Sequence, residues 1–118
     1  MRRVVLRRIK VQTFGWPDEE LDYGRAYLDA VTRSNLQGYT VKEMAPLLPV
    51  KRKLERAIEV GIEVEGGEVL LEDEEHRVLV RAVEQVRWKR VSAAVVEMVE
   101  ELKGAAVVEV EVKGGDHG

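Results

Sequence analysis

Alternation of apolar and polar side chains marks both ends of the chain, strictly so at the second. Residues 3–13 are rich in β-branched side chains, with Val5, Ile9 and Val11 on one face and Arg8 and Lys10 on the other, which predicts an opening strand. The run Ala106 to Lys113 alternates in the same way, Val108, Val110 and Val112 against Glu109 and Glu111, and predicts a closing strand. Between them the period changes to that of helices. Phe14-Gly15-Trp16-Pro17 breaks the first strand, and Asp18 can cap a helix with Glu19 and Glu20 in its first turn and Leu21, Tyr27, Leu28 and Val31 on its apolar stripe. After a loop at 34–39, Thr40 and Glu43 spell a capping box. By the usual rule Pro46 and Pro49 cannot both sit inside one regular helix. The expectation is therefore a short helix to about Leu48, a corner, and a further helix from Pro49 to about Val60 with Leu54, Ala57 and Ile58 facing inward.

Gly61 ends that helix, and Ile62 to Leu71 reads as two short strands joined by Gly66-Gly67, whose freedom at positive φ suits a tight turn. Asp73 then caps a helix over about 74–88 with Leu79, Ala82, Val83 and Val86 on its stripe. Ser92 opens another, with Val95, Met98, Val99 and Leu102 at helical spacing and Gly104 as its stop. The reading that joins these elements is an α+β fold: a single domain over 1–113 in which a small sheet of the terminal strands and a β-hairpin packs with four to five helices, followed by a tail at 114–118. Arg8 and Lys10 match Glu109 and Glu111 at the same two-residue spacing, so the first and last strands are expected to be neighbours, within one chain or between two copies.

Composition narrows the function more than it changes the fold. At 118 residues one core is possible, and 45% apolar with 35% charged side chains is a folded composition with a densely charged exterior. With no cysteine, thiolate metal sites, disulfides and cysteine nucleophiles are excluded. A single Asn and three Gln beside abundant Glu, Arg and Val fit a thermophilic source. No stretch reaches the ~18 apolar residues of a membrane span or resembles a signal segment, so no membrane partner and a cytoplasmic location are expected. Residues 1–60 carry 12 Lys and Arg against 8 Asp and Glu, whereas residues 61–118 carry 7 against 14, which gives +4 and −7. That asymmetry can be spent inside one molecule, in a head-to-tail assembly or on another partner.

The motifs of catalysis are missing. No phosphate-cradling glycine pattern occurs, only His76 and His117 could serve as imidazole ligands, and Ser34 and Ser92 stand in loop and cap contexts. The acidic run Glu72 to Glu75 is what a helix N-terminus attracts. No enzyme activity, cofactor or metal is expected. Trp16 is either a core plug or an exposed anchor for a partner, and Trp88, at the end of an amphipathic helix, is expected to be buried. Two functions remain. The first is a protein that acts through contacts with another protein or with itself, Arg8, Lys10, Trp16, Glu109 and Glu111 being its candidate interface. The second is a winged-helix-like DNA binder with a recognition helix at 49–60, Lys51, Arg52, Lys53 and Arg56 on phosphate or bases, and a wing at 62–72. Glu63, Glu65, Glu68 and Glu72 would make that wing acidic, which opposes nucleic acid.

The succession Leu54-Glu55-Arg56-Ala57, Val69-Leu70-Leu71-Glu72-Asp73 and Arg87-Trp88 resembles that of small, uncharacterised bacteriophage and prophage proteins over about residues 40–102. The resemblance implies an accessory or morphogenesis role in a phage, by composition one of a thermophilic host, and brings no catalytic or binding residues with it.

Overall fold

The computed structural model describes residues 1–12, 19–32, 38–61, 67–88 and 91–108, with the side chains of Val60 and Gly61 left aside. In chain order the elements are β1 (Arg2–Val5), β2 (Arg8–Val11), β3 (Glu19–Asp22), α1 (Tyr23–Thr32), α2 (Val41–Gly61), β4 (Glu68–Leu71), α3 (Asp73–Glu84), α4 (Ala93–Lys103) and β5 (Ala106–Val107). They form an α+β fold with two small antiparallel sheets, one in the order β4-β1-β5 and the other a β2-β3 pair.

The opening strand is divided between the two sheets. Arg2 to Val5 pair with Leu71 to Glu68, and the Leu6 amide extends that ladder to the Gly67 carbonyl at 2.8 Å. One residue later the partner changes: the Arg7 carbonyl accepts from the Tyr23 amide, and Arg8 to Val11 pair with Asp22 to Glu19. Inward parity changes with it. Val4 and Leu6 are buried in the first sheet, Ile9 and Val11 half-buried in the second, so Val5 is not on the inner row that simple alternation assigned to it.

β3 occupies residues expected to begin a helix. Glu19 and Glu20 lie in the strand, and the helix cap falls four residues beyond Asp18, on Asp22, whose Oδ1 accepts from the Arg25 amide at 3.2 Å. Two forces favour this register: opposite charges face each other at Lys10–Glu20 and Arg8–Asp22, and the later start puts Tyr23 and Tyr27 on the buried face of α1. Gly24 lets α1 approach α2 closely, because a Cβ there would stand 3.3 Å from Ile58 Cγ1.

α2 is one helix, not two. Thr40 and Glu43 form the expected box, the Glu43 amide donating to Thr40 Oγ1 at 3.2 Å and the Thr40 amide to Glu43 Oε1 at 3.1 Å. The helix then runs through Pro46 and Pro49 without a corner. Each proline removes one amide and crowds the carbonyl four residues earlier, but the two lie three residues apart on an exposed face, where Lys42 and Ala45 carbonyls can turn to water. Without a turn at Leu48–Pro49, the helix, corner and recognition helix expected over residues 40–60 are one continuous helix.

The core joins the β4-β1-β5 sheet to all four helices through Val4, Tyr27, Val50, Leu54, Leu71, Leu79, Met98 and Leu102, and Ile9 and Leu21 of the second sheet pack against it half-buried. α3 begins at Asp73 with Glu72 at its cap and ends at Glu84, four residues short of Trp88. α4 opens on Ser92, whose Oγ accepts from the Val95 amide, and closes at Gly104. The buried His76 ring donates from Nε2 to the Leu102 carbonyl at 2.6 Å, joining the Ala105 amide on one of the carbonyls at the C-terminus of α4. The first and last strands do pair, Arg2 with Val107 and Arg3 with Ala106, and the Val108 amide donates to the Met1 carbonyl. Ile62 to Gly66, the first arm and turn of the expected hairpin, lies outside the described residues; β4 is its second arm.

Candidate interaction surface

The length of α2 creates a projection. At 21 residues it measures about 31 Å, against about 15 Å for the ten-residue α1 that packs on it. Gly24, near the start of α1, meets Ile58, near the end of α2, so the helices run antiparallel and the first turns of α2 extend past the end of α1. From Val41 to Pro49 only Leu47 is even half-buried.

The exposed turns are apolar where a solvated helix would be charged. Val41, Met44, Ala45 and Leu48 recur at i, i+3, i+4 and i+7 and form one stripe, with Val41 at 81%, Met44 at 49% and Leu48 at 42% exposure. This stripe points about 180° away from Val50, Leu54 and Ala57, the face by which α2 joins the core. Further along the same outward face it gives way to Lys51, Arg52, Glu55 and Arg56, making an apolar tip behind which a basic collar follows. Within that collar Lys51 pairs with Glu55 at 3.0 Å, while Lys53 leaves the face to meet Glu75 at 2.6 Å. Sequence reasoning missed the tip because it divided the helix at the prolines. Its periodicity was nevertheless present in the sequence.

A second surface is concave. The β2–β3 pair and α1 form one wall of a groove of about 490 Å3, and Val86, Arg87, Trp88, Ser92 and Val95 form the other. Val11, Leu21, Ala26, Val86, Trp88 and Val95 give it an apolar floor. Around it stand four carboxylates, Glu19, Glu20, Asp22 and Asp29, against the guanidiniums of Arg25 and Arg87. Trp88, expected to be buried, is 41% exposed here, because α3 ends before it, and Val91 beyond it is fully exposed.

The other candidate residues are spent differently. Arg8 lies opposite Asp22, with Nε 3.3 Å from its Oδ2, and Lys10 lies opposite Glu20, so the charges of the second strand are met by β3 within the chain. The β1–β5 register sets Met1 beside Val108 and brings neither Arg8 nor Lys10 to the last strand, which removes the basis for a charge match there. Trp16, Glu109 and Glu111 lie outside the described residues. The acidic run has structural duties: Asp73 meets Arg2, Glu74 meets Arg77, and Glu75 accepts from the Glu72 amide at 2.8 Å. Together with Arg3–Glu68, Arg7–Glu101 and Lys53–Glu75, the Arg2–Asp73 pair shows the two oppositely charged halves of the chain neutralising each other in part.

Titration responds to the same contacts. The Thr40 amide and then its hydroxyl hold the Glu43 carboxyl below its ordinary value, and burial pushes the Tyr27 phenol far above its own. Among the described residues no three His, Asp or Glu side chains gather to hold a metal ion, and no helix is long and apolar enough to cross a membrane. Comparison with protein families, with curated proteins and with solved structures finds no match to this chain.

Proposed function

We propose that this is a non-catalytic interaction protein that works in assembly by presenting the first two turns of α2 to another protein. The observation that carries this reading is the exposure of Val41, Met44 and Leu48 on a helix that projects past its neighbour. Leaving an ordered apolar stripe in water costs solubility and is retained where a partner covers it. An amphipathic helix offering anchors at i, i+3, i+4 and i+7 is one of the standard ways in which proteins engage a groove. The accessory or morphogenesis role in a phage belongs to the same proposal and rests on the motif succession at 54–57, 69–73 and 87–88.

The test is photocrosslinking in the native host from a reactive side chain at Leu48, with and without Met44→Glu in the same chain. Formation of discrete protein adducts that Met44→Glu suppresses supports the reading. An absence of adducts, or adducts indifferent to Met44→Glu, rejects it. DNA binding has less support: the recognition helix has no preceding turn, and Lys51 and Lys53 are engaged by Glu55 and Glu75. Anisotropy with duplex DNA at low salt decides that alternative, which requires binding that Lys51→Glu with Arg52→Glu abolishes.

A further inference from the structure

We infer that Pro46 and Pro49 belong to the docking surface of α2: they leave the Lys42 and Ala45 carbonyls free, as acceptors for N–H donors that flank an apolar groove on the protein partner. The interaction reading above is its basis, and the chemistry of the partner is what it adds. Proline has no amide, so the carbonyl four residues before it loses its donor in the helix, and the ring crowds that same carbonyl. Both prolines stand beyond the first turn of α2, past the position where proline suits a helix. The core uses neither, because residues 45, 46 and 49 are exposed and α2 joins the core through Val50, Leu54 and Ala57. Alanine at either site would strengthen the helix. Two breaches of a local rule that the fold neither needs nor offsets mark a surface kept for something outside the chain.

Position gives the free carbonyls their use. Pro49 lies about 40° and Lys42 about 60° around the helix axis from Ala45, on the same side of the apolar stripe. That flank therefore carries two main-chain acceptors beside Val41, Ala45 and Leu48. On the other side, further along the helix, Lys51 and Glu55 satisfy each other at 3.0 Å. In water a free carbonyl accepts from solvent. Covered by a purely apolar wall, each would lose that bond and weaken docking by about 5- to 150-fold. The negative ends of these two dipoles therefore select a groove whose flank carries main-chain amides or the N–H groups of Asn, Gln, Arg or Trp. This complementarity favours a protein over a bilayer, whose hydrocarbon has no donors, and over DNA, whose phosphates are themselves acceptors.

The experiment uses the whole chain. A labelled chain with the photoreactive side chain at position 48 is irradiated in extract of the native host, and unlabelled chain is added until the yield of protein adduct is halved. Pro46→Ala with Pro49→Ala gives both carbonyls their helical donors, and circular dichroism with urea unfolding verifies that this variant is folded and at least as helical as the wild type. About tenfold more of it than of wild type should be needed, as two lost hydrogen bonds require, although its helix is firmer. Each single replacement should give part of that loss. N-methylalanine at both positions again lacks the amide, and a chain carrying it should compete as the wild type does. An alanine variant that competes as well as the wild type, or better, as a firmer helix alone would, overturns the inference and leaves the interaction reading standing. So does an N-methylalanine chain that competes no better than the alanine variant. A double variant less helical than the wild type overturns it too, because α2 is then not continuous. Adducts of lipid or nucleic acid alone, or no adduct, reject both the inference and the interaction reading.

Discussion

Replacing Pro46 and Pro49 by alanine measures whether α2 is continuous. Inside a helix proline is about 3 kcal/mol less favourable than alanine, because it lacks the amide that would bond to the carbonyl four residues back and its ring crowds that carbonyl. In α2 the amide restored at position 46 finds the Lys42 carbonyl, and that at position 49 finds the Ala45 carbonyl. Both positions are exposed, so the methyl group that replaces each ring displaces no core atom. Against this gain stands the looser unfolded chain, which returns about 0.4–1 kcal/mol per proline removed. The net expectation is stabilisation by about 2 kcal/mol per site, or roughly 8 °C in Tm for a domain of this size. The first turns of α2 pack on little, so part of the gain can appear locally instead, as higher helical circular dichroism and slower amide exchange between Met44 and Val50. Urea unfolding, thermal melts and exchange together capture both. The opposite sign holds if a helix ends at Leu48 and another begins at Pro49, since proline at a first helical position is favourable and its loss destabilises. A fall in urea midpoint and helical signal for Pro49→Ala would refute the continuous helix, and with it the projecting tip.

Other substitutions probe the body and the caps. Leu54→Ala empties a fully buried site shared by α2 and the core and should cost about 2–5 kcal/mol by urea unfolding, with the m-value unchanged. Glu75→Ala removes both the bond to the Glu72 amide and the partner of Lys53, so it should cost about 1–2 kcal/mol, more than Lys53→Ala, which gives up only a partly exposed ion pair worth at most about 1 kcal/mol. Folding depresses the Glu43 pKa below 4.5, so its contribution is complete above that value and lost as pH falls through the lower, folded one; Glu43→Gln should flatten the acid limb of the urea midpoint plotted against pH. The buried Tyr27 phenol carries the reverse sign. Its contribution is complete below the ordinary phenol value of 10.0 and disappears as pH rises above it, so Tyr27→Phe should resist alkaline unfolding better than the wild type.

Local chemistry was legible wherever it needed no distant partner. The Thr40–Glu43 box, the Ser92 cap and the Gly104 stop each join residues within four positions, and all are found where their spelling puts them. Alternation likewise marked the opening strand, and Ala106 and Val107, the first two residues of the expected closing strand, pair with β1; its alternating part from Glu109 onward lies outside the described residues. Failure came where tertiary contacts overruled a local preference. Glu19-Glu20-Leu21-Asp22 has helix-starting composition, yet it becomes a strand because β2 offers cations at the right spacing and the core requires Tyr23 and Tyr27 on one helical face. Two aspartates could cap α1, and burial of the tyrosines selected Asp22 over Asp18.

The candidate surface was hidden for a related reason. Val41, Met44, Ala45 and Leu48 have an apolar period that, in a short helix bounded by prolines, reads as a buried face. Only the relation of this stripe to Val50, Leu54 and Ala57 shows that it points outward, and that relation exists only if the helix passes through both prolines without losing phase. The groove is less legible still. Leu21 and Val11 come from one sheet, Ala26 from α1, Val86 and Trp88 from beyond the end of α3 and Val95 from α4, some sixty residues later, so no sequence window contains it. The charge asymmetry noted along the chain reappears there in altered form. Much of it is neutralised internally by Arg2, Arg3, Arg7 and Lys53, while around the groove the carboxylates Glu20 and Asp22 face Lys10 and Arg8 across the β2–β3 pair, with Arg25 and Arg87 beside them. Because those carboxylates and the cations that meet them both belong to the first, nominally basic half of the chain, folding, and not the order of charges in sequence, decides where each sign comes to lie.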